Sequence, residues 1–281
     1  MRPDCLGVIG LCELGGSVAW QAARAGVRRI IGYSRVRKDG VAAARAGAIT
    51  EVATSAKQVA RWADLIVMAT GSSKTLSLLR ELGSTVTTRS VYCTDLGGVK
   101  RPVVNAAARM NLGAWFAGSN ALIELGGRGF EAARPDWFQG QIVYVTPVAG
   151  GELAAGEIAD FWKRIMSAEP VTVDADRHDR ILAWISHLPQ TVASALATTL
   201  ASHGPKGVTY GPVALSTTDS AAMDEQEWTD ILVQNRDYLA AALDALGSEV
   251  RSLQTALADG DREGVRKWIE LGSQWRRRAG E

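Results

Sequence analysis

The sequence predicts an α/β domain, doubly wound around a parallel sheet, followed by an all-α domain. Three observations carry that expectation. Through the first half, short apolar runs alternate with amphipathic stretches, the rhythm of strand–helix–strand units. A glycine-rich turn, Gly10-Leu11-Cys12-Glu13-Leu14-Gly15-Gly16-Ser17, follows the first apolar run directly. After Pro147 strand signals nearly vanish and helical periodicity takes over. The boundary expected from that change divides the chain into a dinucleotide-binding domain over 1–150 and a helical substrate and dimerisation domain over 151–281.

Residues 6–10 read as the first strand and 15–25 as the helix behind it. Residues 28–33, after Val27 and with Ile30 and Ile31, form a second strand, and 55–63 is helical. The run 64–69 (DLIVMA) is continuously apolar, which suits a parallel strand covered on both faces. A helix over 73–82, a strand over 90–95 ending in polar residues, and a helix over 102–110 follow. Strands are expected at 114–117 and 141–146. Beyond them lie a helix over 152–167, a short strand at 170–173 and one long helix over 176–202, kinked near Pro189. Trp228, Ile231, Leu232, Tyr238, Leu239, Leu243, Leu246 and Val250 recur at three- and four-residue intervals within 225–257, and a last helix covers 262–277. Long apolar helices predict a homodimer through the C-terminal helices, although a monomeric bundle would leave the same pattern.

Composition excludes several function classes. The 281 residues carry 31 Lys+Arg against 30 Asp+Glu, a net charge of +1, with 47% hydrophobic and 22% charged residues. That length and apolar content suffice for large buried cores. Balanced charge argues against a nucleic-acid partner, and no stretch reaches the roughly 18 apolar residues of a membrane span. Three His (His178, His187, His203) and three Cys (Cys5, Cys12, Cys93), with no CxxC and no HExxH, offer neither a metal site nor a disulfide framework. Together with the absence of a signal-peptide apolar region after Met1, this predicts a cytoplasmic protein with a small-molecule substrate.

The glycine turn has the context of a dinucleotide fingerprint: a strand, a tight turn, and a helix N-terminus whose free N–H groups attract a pyrophosphate. Gly10 and Gly15 hold the first and third glycine positions; Cys12 stands at the second, where the backbone meets the phosphates. Gly10, Cys12, Leu14 and Gly15 are the expected contacts, with Thr70 and Asp95 at the ends of later strands. At the end of the second strand an NAD site places Asp or Glu for the ribose 2′-hydroxyl. Here the segment is Tyr33-Ser34-Arg35-Val36-Arg37-Lys38. A hydroxyl and three cations suit a 2′-phosphate, so Ser34, Arg35 and Arg37 predict NADP; a solvated basic loop is the alternative.

Several segments in order then resemble the prephenate/arogenate dehydrogenase family: Gly15-Gly16-Ser17, Thr94-Asp95-Leu96-Gly97-Gly98-Val99-Lys100, Phe116-Ala117-Gly118-Ser119-Asn120, and Asp136-Trp137-Phe138-Gln139-Gly140 leading into 143–147. His178-Asp179, Ser186-His187-Leu188-Pro189 and Trp228-Thr229-Asp230-Ile231-Leu232 with Asn235-Arg236 complete the set. The resemblance covers nearly the whole chain; the His-Asp with Ser-His-Leu-Pro pair and the Thr94–Lys100 turn are its most specific parts. It implies a Rossmann domain plus a helical domain that dimerises, and an activity in which hydride leaves a cyclohexadienol ring while carbon dioxide departs.

The resemblance also implies a histidine base, a supporting serine and a carboxylate-binding arginine. The matching positions here are Asn120, Gly98 and Asp219, and none keeps the required group. A carboxamide takes no proton near neutral pH, and Asp219 would repel a carboxylate. Asn120, His187, Asp219 and Lys100 are therefore the candidate catalytic residues; Gly98, Glu124, Gln190 and Trp228 are the candidate substrate contacts. Asp219 suits a cationic partner; an exposed loop carboxylate or a helix N-cap is the alternative. Lys100 orients substrate or only closes its turn, and His187 is either a site residue or a structural one. His178 is expected to pair with Asp179 or Arg180, and His203 to be exposed. Three readings stay open: an NADP-dependent oxidoreductase on a small non-prephenate substrate, with imines and amines as candidates; a lyase, isomerase or cofactor-silent binding protein on the same fold; and prephenate or arogenate dehydrogenation with a displaced base.

Overall fold

The computed structural model describes residues 1–123 and 126–279. The chain divides into two compact units, Met1–Leu182 with Met223–Gln234, and Ala183–Ala222 with the chain from Asn235 onward. The first unit begins as β1 (Cys5–Ile9), α1 (Glu13–Arg24), β2 (Arg29–Tyr33), α2 (Arg37–Arg45), β3 (Glu51–Val52), α3 (Ala56–Trp62), β4 (Leu65–Met68), α4 (Ser72–Arg89), β5 (Tyr92–Asp95) and α5 (Arg101–Arg109). These five strands form a parallel sheet in the order β3-β2-β1-β4-β5. Strand β1 therefore has β2 on one side and β4 on the other, and the order in which strands are added reverses there, the switch point at which open α/β sheets bind ligands.

Alternation along each strand feeds two cores. Leu65 and Val67 of β4 join one apolar cluster with Leu6, Val8 and Ile30, and Ile66 and Met68 join a second with Ile9 and Ile31. Every residue of β1 and β4 is buried. Each such aliphatic side chain contributes about 1.5–3 kcal/mol relative to exposure.

A three-stranded sheet follows. In it β6 (Ala117–Ala121) pairs antiparallel with β7 (Ile142–Pro147), and β7 pairs parallel with β8 (Glu169–Thr172). Helix α6 (Glu152–Arg164) makes the crossover and α7 (Ala175–Leu182) packs on α5 and β7. A bridge between Cys93 and Phe116 joins the two sheets. The expected strand at 114–117 thus lies further on. Trp115 and Phe116 both donate to Leu112 O and close a turn, and pairing starts only where Ala117 faces Pro147. Because α6 and β8 complete this second sheet, the first unit runs to Leu182, beyond the change of texture near residue 150.

The chain continues as a wide π-helical turn over Ala183–His187, α8 (Leu188–His203), α9 (Pro212–Thr217) and a 3-10 turn over Asp219–Ala222. It then returns to the first unit as α10 (Glu225–Gln234), which packs on α4, and ends in the second unit as α11 (Arg236–Ala258) and α12 (Arg262–Arg278). The long helix expected over 176–202, kinked near Pro189, runs without a gap over 175–203, with the π turn immediately before that proline. Pro189 has no N–H to donate, and its ring crowds the carbonyl of Ile185 within that turn. The helix expected over 225–257 is broken at Asn235, and 37–45, to which the sequence pattern assigns no element, is helix α2. No helix among the described residues is long and apolar enough to cross a membrane.

Candidate functional site

The turn between β1 and α1 is built on two glycines that tolerate no side chain. Gly10 has φ +93°, and a Cβ there would run into Ala69 O. A Cβ on Gly15 would overlap Gly10 O and lie 2.7 Å from Ala69 Cβ. Both constraints come from the close approach of β1 and β4 at the switch point, where Ala69 N donates to Ile9 O at 2.8 Å. Cys12 caps α1 at φ −75° and ψ −160°, a conformation open to any L-residue. Its side chain is exposed, with the thiol crowded enough that desolvation pushes its pKa up, while the amides of Leu14 and Gly15 pull it back. Cys12 therefore changes what a ligand meets without changing how the turn folds.

A segment not expected from sequence is laced along α1. The buried carboxylate of Glu13 accepts from Gly126 N at 3.1 Å and Gly127 N at 3.0 Å. Ser17 Oγ accepts from Arg134 N at 2.8 Å, and Gln21 Oε1 accepts from Phe138 N at 3.2 Å. Phe130 stacks on Trp20 at 5.7 Å and occupies the space in which Gly16 lacks a side chain. Asp39, the first carboxylate after β2, is also buried, and its Oδ1 accepts from Phe130 N at 3.3 Å. Asp39 is thus directed into the unit, while Arg35, Arg37 and Lys38 are exposed beside the half-buried Ser34, whose Oγ accepts from Val36 N.

At the carboxyl ends of β4 and β5 several polar groups converge. Thr70 and Thr75 share a hydrogen bond at 3.1 Å. Lys100 Nζ donates to Asp95 Oδ2 at 2.6 Å and to Ser119 O at 2.8 Å, and Gly97 N donates to the same Asp95 oxygen. Lys100 and Asp95 are both fully buried, so Lys100 closes its turn and has no surface to offer a substrate. Asp95 Oδ1 and Ser72 Oγ, also buried, have no hydrogen-bond partner among the described residues. Ser72 lies in the first turn of α4, where Lys74 N and Thr75 N donate to Gly71 O and no side chain caps the helix. Ser119 Oγ is held between Thr94 Oγ1 at 2.7 Å and Trp162 Nε1 at 2.9 Å, which fixes the strand that carries Asn120.

Asn120 itself ends a buried relay. Its Nδ2 lies 3.1 Å from His178 Nε2, and His178 Nδ1 lies 2.8 Å from Asp179 Oδ1. Asp179 further accepts from Lys100 N at 2.7 Å and Arg101 N at 2.9 Å. These donors hold the Asp179 carboxyl below its ordinary pKa against the effect of burial, and burial holds His178 below its own, so the ring is neutral. The Tyr144 ring stands perpendicular to the imidazole, with the ring centroids 5.7 Å apart. The neighbouring Gly98 faces Ile231 of α10, whose Cδ1 would lie 3.2 Å from an added Cβ. Ile231 thus occupies the room into which a serine at 98 would have to fit.

The remaining candidates divide between the units. His187, Gln190 and Asp219 belong to the second. His187 is buried at the end of the π turn, with Asn235 Nδ2 3.0 Å from its Nδ1. Gln190 Nε2 donates to Ser220 O at 2.6 Å and anchors the 3-10 turn. Asp219 opens that turn, exposed and without an ion pair among the described residues. The structure therefore brings Asn120, Lys100, Asp95 and Gly98 into one unit and leaves His187 and Asp219 in the other. Trp228 is half-buried on α10, His203 is exposed, and Glu124 lies outside the described residues. Among the described residues no cluster of metal ligands occurs.

Glu13, Asp39, Ser72, Ser119 and the His178–Asp179 relay complete the site. Glu13 and Asp39 carried a signal that passed unread: each is an acidic residue in the first turn of a helix, where a carboxylate finds free amides. Ser72 and Ser119 carried none, because their partners come from distant segments.

A family model for the prephenate dehydrogenase nucleotide-binding domain matches residues 18–168, and one for the prephenate dehydrogenase dimerization domain matches residues 174–271. The prephenate dehydrogenase of Bacillus subtilis (strain 168) is 26% identical over 97% of this chain and 75% of its own length. The cyclohexadienyl dehydrogenase of Zymomonas mobilis is 29% identical over 62% of this chain and 61% of its own. Among solved structures, the Aquifex aeolicus prephenate dehydrogenase in complex with hydroxyphenyl propionate and NAD+ superposes with a TM-score of 0.88 at 22% identity, covering 98% of each chain. Synechocystis arogenate dehydrogenase gives 0.77 at 19% identity, covering 98% of this chain and 99% of that one. With both of the family's domains matched in order, this chain belongs to the prephenate dehydrogenase family.

Proposed function

We propose that the chain is a nicotinamide-dinucleotide-dependent dehydrogenase that oxidises a ring carbinol of a small, carboxylated cyclohexadienol, a reading supported by its likeness to proteins named prephenate and cyclohexadienyl dehydrogenase. The observation that carries this reading is the Gly10–Gly15 turn at the sheet's switch point, within a chain that both family domains match. The residues present fit such a cofactor. Gly10 and Gly15 keep the turn tight, the free amides at the start of α1 would meet the phosphates, and Thr70 packs against Gly10 at the carboxyl end of β4. Leu14 contributes its amide, and Cys12 narrows the approach without blocking it. Ser34, Arg35 and Arg37 favour NADP, because they present a hydroxyl and exposed guanidinium groups where Asp39 is turned away.

The cofactor supplies the hydride acceptor; the chain supplies position. Asp95 and Lys100 brace the β5 turn, and Asn120, 8% exposed, is less enclosed than either. Asn120 can hold a substrate hydroxyl but cannot keep its proton, which passes to water. Loss of a positioned base forgoes a factor of about 10²–10⁴. The second unit, exposing Val213, Leu215, Leu271 and Trp275, serves as a homodimer surface, in line with the dimerization model that matches it.

A second reading, reduction of a C=N group in a small imine, is favoured by the same Asn120, since that direction requires no base. The two are separated by assay. Reduced dinucleotide should form with prephenate or arogenate, and Arg35→Ala should raise KM for NADP about tenfold while leaving KM for NAD within twofold. Dinucleotide consumption with cyclic imines and none formed with cyclohexadienols would install the second reading, and its loss in Asp219→Ala would place a cationic substrate there. Absence of dinucleotide binding by calorimetry would remove both and leave a non-redox protein.

A further inference from the structure

The proton inventory of the Asn120–His178–Asp179 relay leaves one consistent arrangement. Asp179 accepts from Lys100 N, Arg101 N and Arg101 Nε and is ionised, so the hydrogen shared with His178 Nδ1 belongs to the imidazole. Both groups are fully buried; the Arg101 guanidinium lies 3.2 Å from Asp179, the Lys100 ammonium and the Asp95 carboxylate are the further charges acting on His178, and the Tyr144 ring lies perpendicular to the imidazole. A neutral ring protonated at Nδ1 presents a bare lone pair at Nε2. The group facing it must donate, and of the two ends of the Asn120 carboxamide only Nδ2 can. Oδ1 is therefore turned the other way. Among the described residues it accepts no hydrogen bond, and Asn120, at 8% exposure, is the one member of the relay that is not fully enclosed.

We infer that His178 and Asp179 are positioning residues that lock the Asn120 carboxamide with Oδ1 outward, making it a fixed acceptor that selects a hydroxyl or N–H of the substrate and rejects a carbonyl in the same place. The inference rests on the dehydrogenase reading for the identity of the ligand, though not for the orientation of the amide. A carbonyl oxygen set against Oδ1 leaves two acceptors facing each other with no proton between them. Leaving a buried acceptor unpaired costs enough to discriminate by about tenfold or more. The alcohol form of a substrate is then held and the ketone form released, and position 120 acts as a one-way recognition point without any proton being transferred to the protein.

Two measurements test it on the full chain. Long-range 1H–15N correlation of the histidine rings should show His178 as the neutral Nδ1–H tautomer, unchanged as pH falls from neutral into the mildly acidic range. An Nε2–H tautomer, or a cationic ring at neutral pH, would overturn the assignment whatever the protein binds. In the second, calorimetric Kd values are compared for 4-hydroxycyclohexane-1-carboxylate and 4-oxocyclohexane-1-carboxylate, with dinucleotide present. The alcohol should bind about tenfold more tightly, and the ratio should fall to near one in Asn120→Leu. In His178→Gln the carboxamide keeps its place but not its orientation, so the ratio should shrink there as well while dinucleotide affinity is kept. A ratio near one in the wild-type protein, or one unmoved by Asn120→Leu, refutes selection by Oδ1. Neither readout requires turnover. An enzyme that oxidises no cyclohexadienol yet keeps the tautomer and the ratio would refute the dehydrogenase reading alone; turnover with a ratio near one would refute this inference alone.

Discussion

At residue 12 the phosphate turn has exchanged the hydrogen of a glycine for a thiomethyl group, and the backbone has not had to respond. Cys12 sits at φ −75°, whereas Gly10, with φ +93°, and Gly15, wedged against Gly10 O, admit no such exchange. The consequence is confined to the ligand: the sulfur occupies volume that a pyrophosphate would approach, and it brings no N–H to compensate. Cys12→Gly should therefore lower the dinucleotide Kd by about tenfold, equivalent to about 1.4 kcal/mol. The midpoint of thermal unfolding should fall slightly, because glycine at a cap adds chain entropy to the unfolded state. Calorimetric titration of the two proteins checks both parts. An unchanged Kd would mean that the phosphates lie clear of position 12, and the fingerprint reading of this turn would lose its middle position.

Among the elements, those buried on both faces were legible in the sequence and those shaped by distant partners were not. Strands β1 and β4 announce themselves as continuous apolar runs, because each face of the parallel sheet has its own core to fill. Strand β3 is two exposed residues held by Ile31 and Gly32, too short to carry a pattern. Helix α2 hides behind its cations and Gly40, and its burial of Asp39, Gly40 and Ala43 against neighbours is invisible locally. At the site, Asn120, Gly98 and Asp219 could be located from motif order, but the sealing of Lys100 by Asp95 and the division of His187 and Asp219 from Asn120 could not. Those facts depend on how far the first unit extends.

The strap over 126–138 was the largest omission of this kind, since its four anchors on α1 and α2 lie about 90 to 120 residues away in sequence. Glu13 carries two of its amides on one oxygen, a charge-assisted pair worth about 1.5–3 kcal/mol per bond. Glu13→Ala should release the leading part of the strap while Ser17, Gln21 and Asp39 hold the rest. Hydrogen exchange should then quicken by tenfold or more at Gly126 and Gly127 and change little at Phe138. Uniform quickening along the strap would show that Glu13 is no local anchor.

For the molecule as a whole, the open question is what covers the second unit. The chain crosses between the units three times, after Leu182, Ala222 and Gln234, so neither is a simple terminal appendage. The second unit buries little of its own apolar surface. Leu271 and Trp275 are each 65% exposed one turn apart on α12, with Val213, Leu215 and Leu257 also exposed on other helices. A lone bundle gains nothing by presenting such side chains to water, whereas a second copy would bury each for about 1.5–3 kcal/mol. A net charge of +1 sets no long-range repulsion against that encounter. Sedimentation equilibrium should accordingly give twice the chain mass at micromolar concentration. The double variant Leu271→Glu, Trp275→Glu should sediment as a single chain with its helical circular dichroism retained, because both residues are exposed within their own unit and add nothing to its internal core. A wild-type protein that stays at the mass of one chain would refute the homodimer, and a variant that remains dimeric would move the interface off α12 to the other exposed helices.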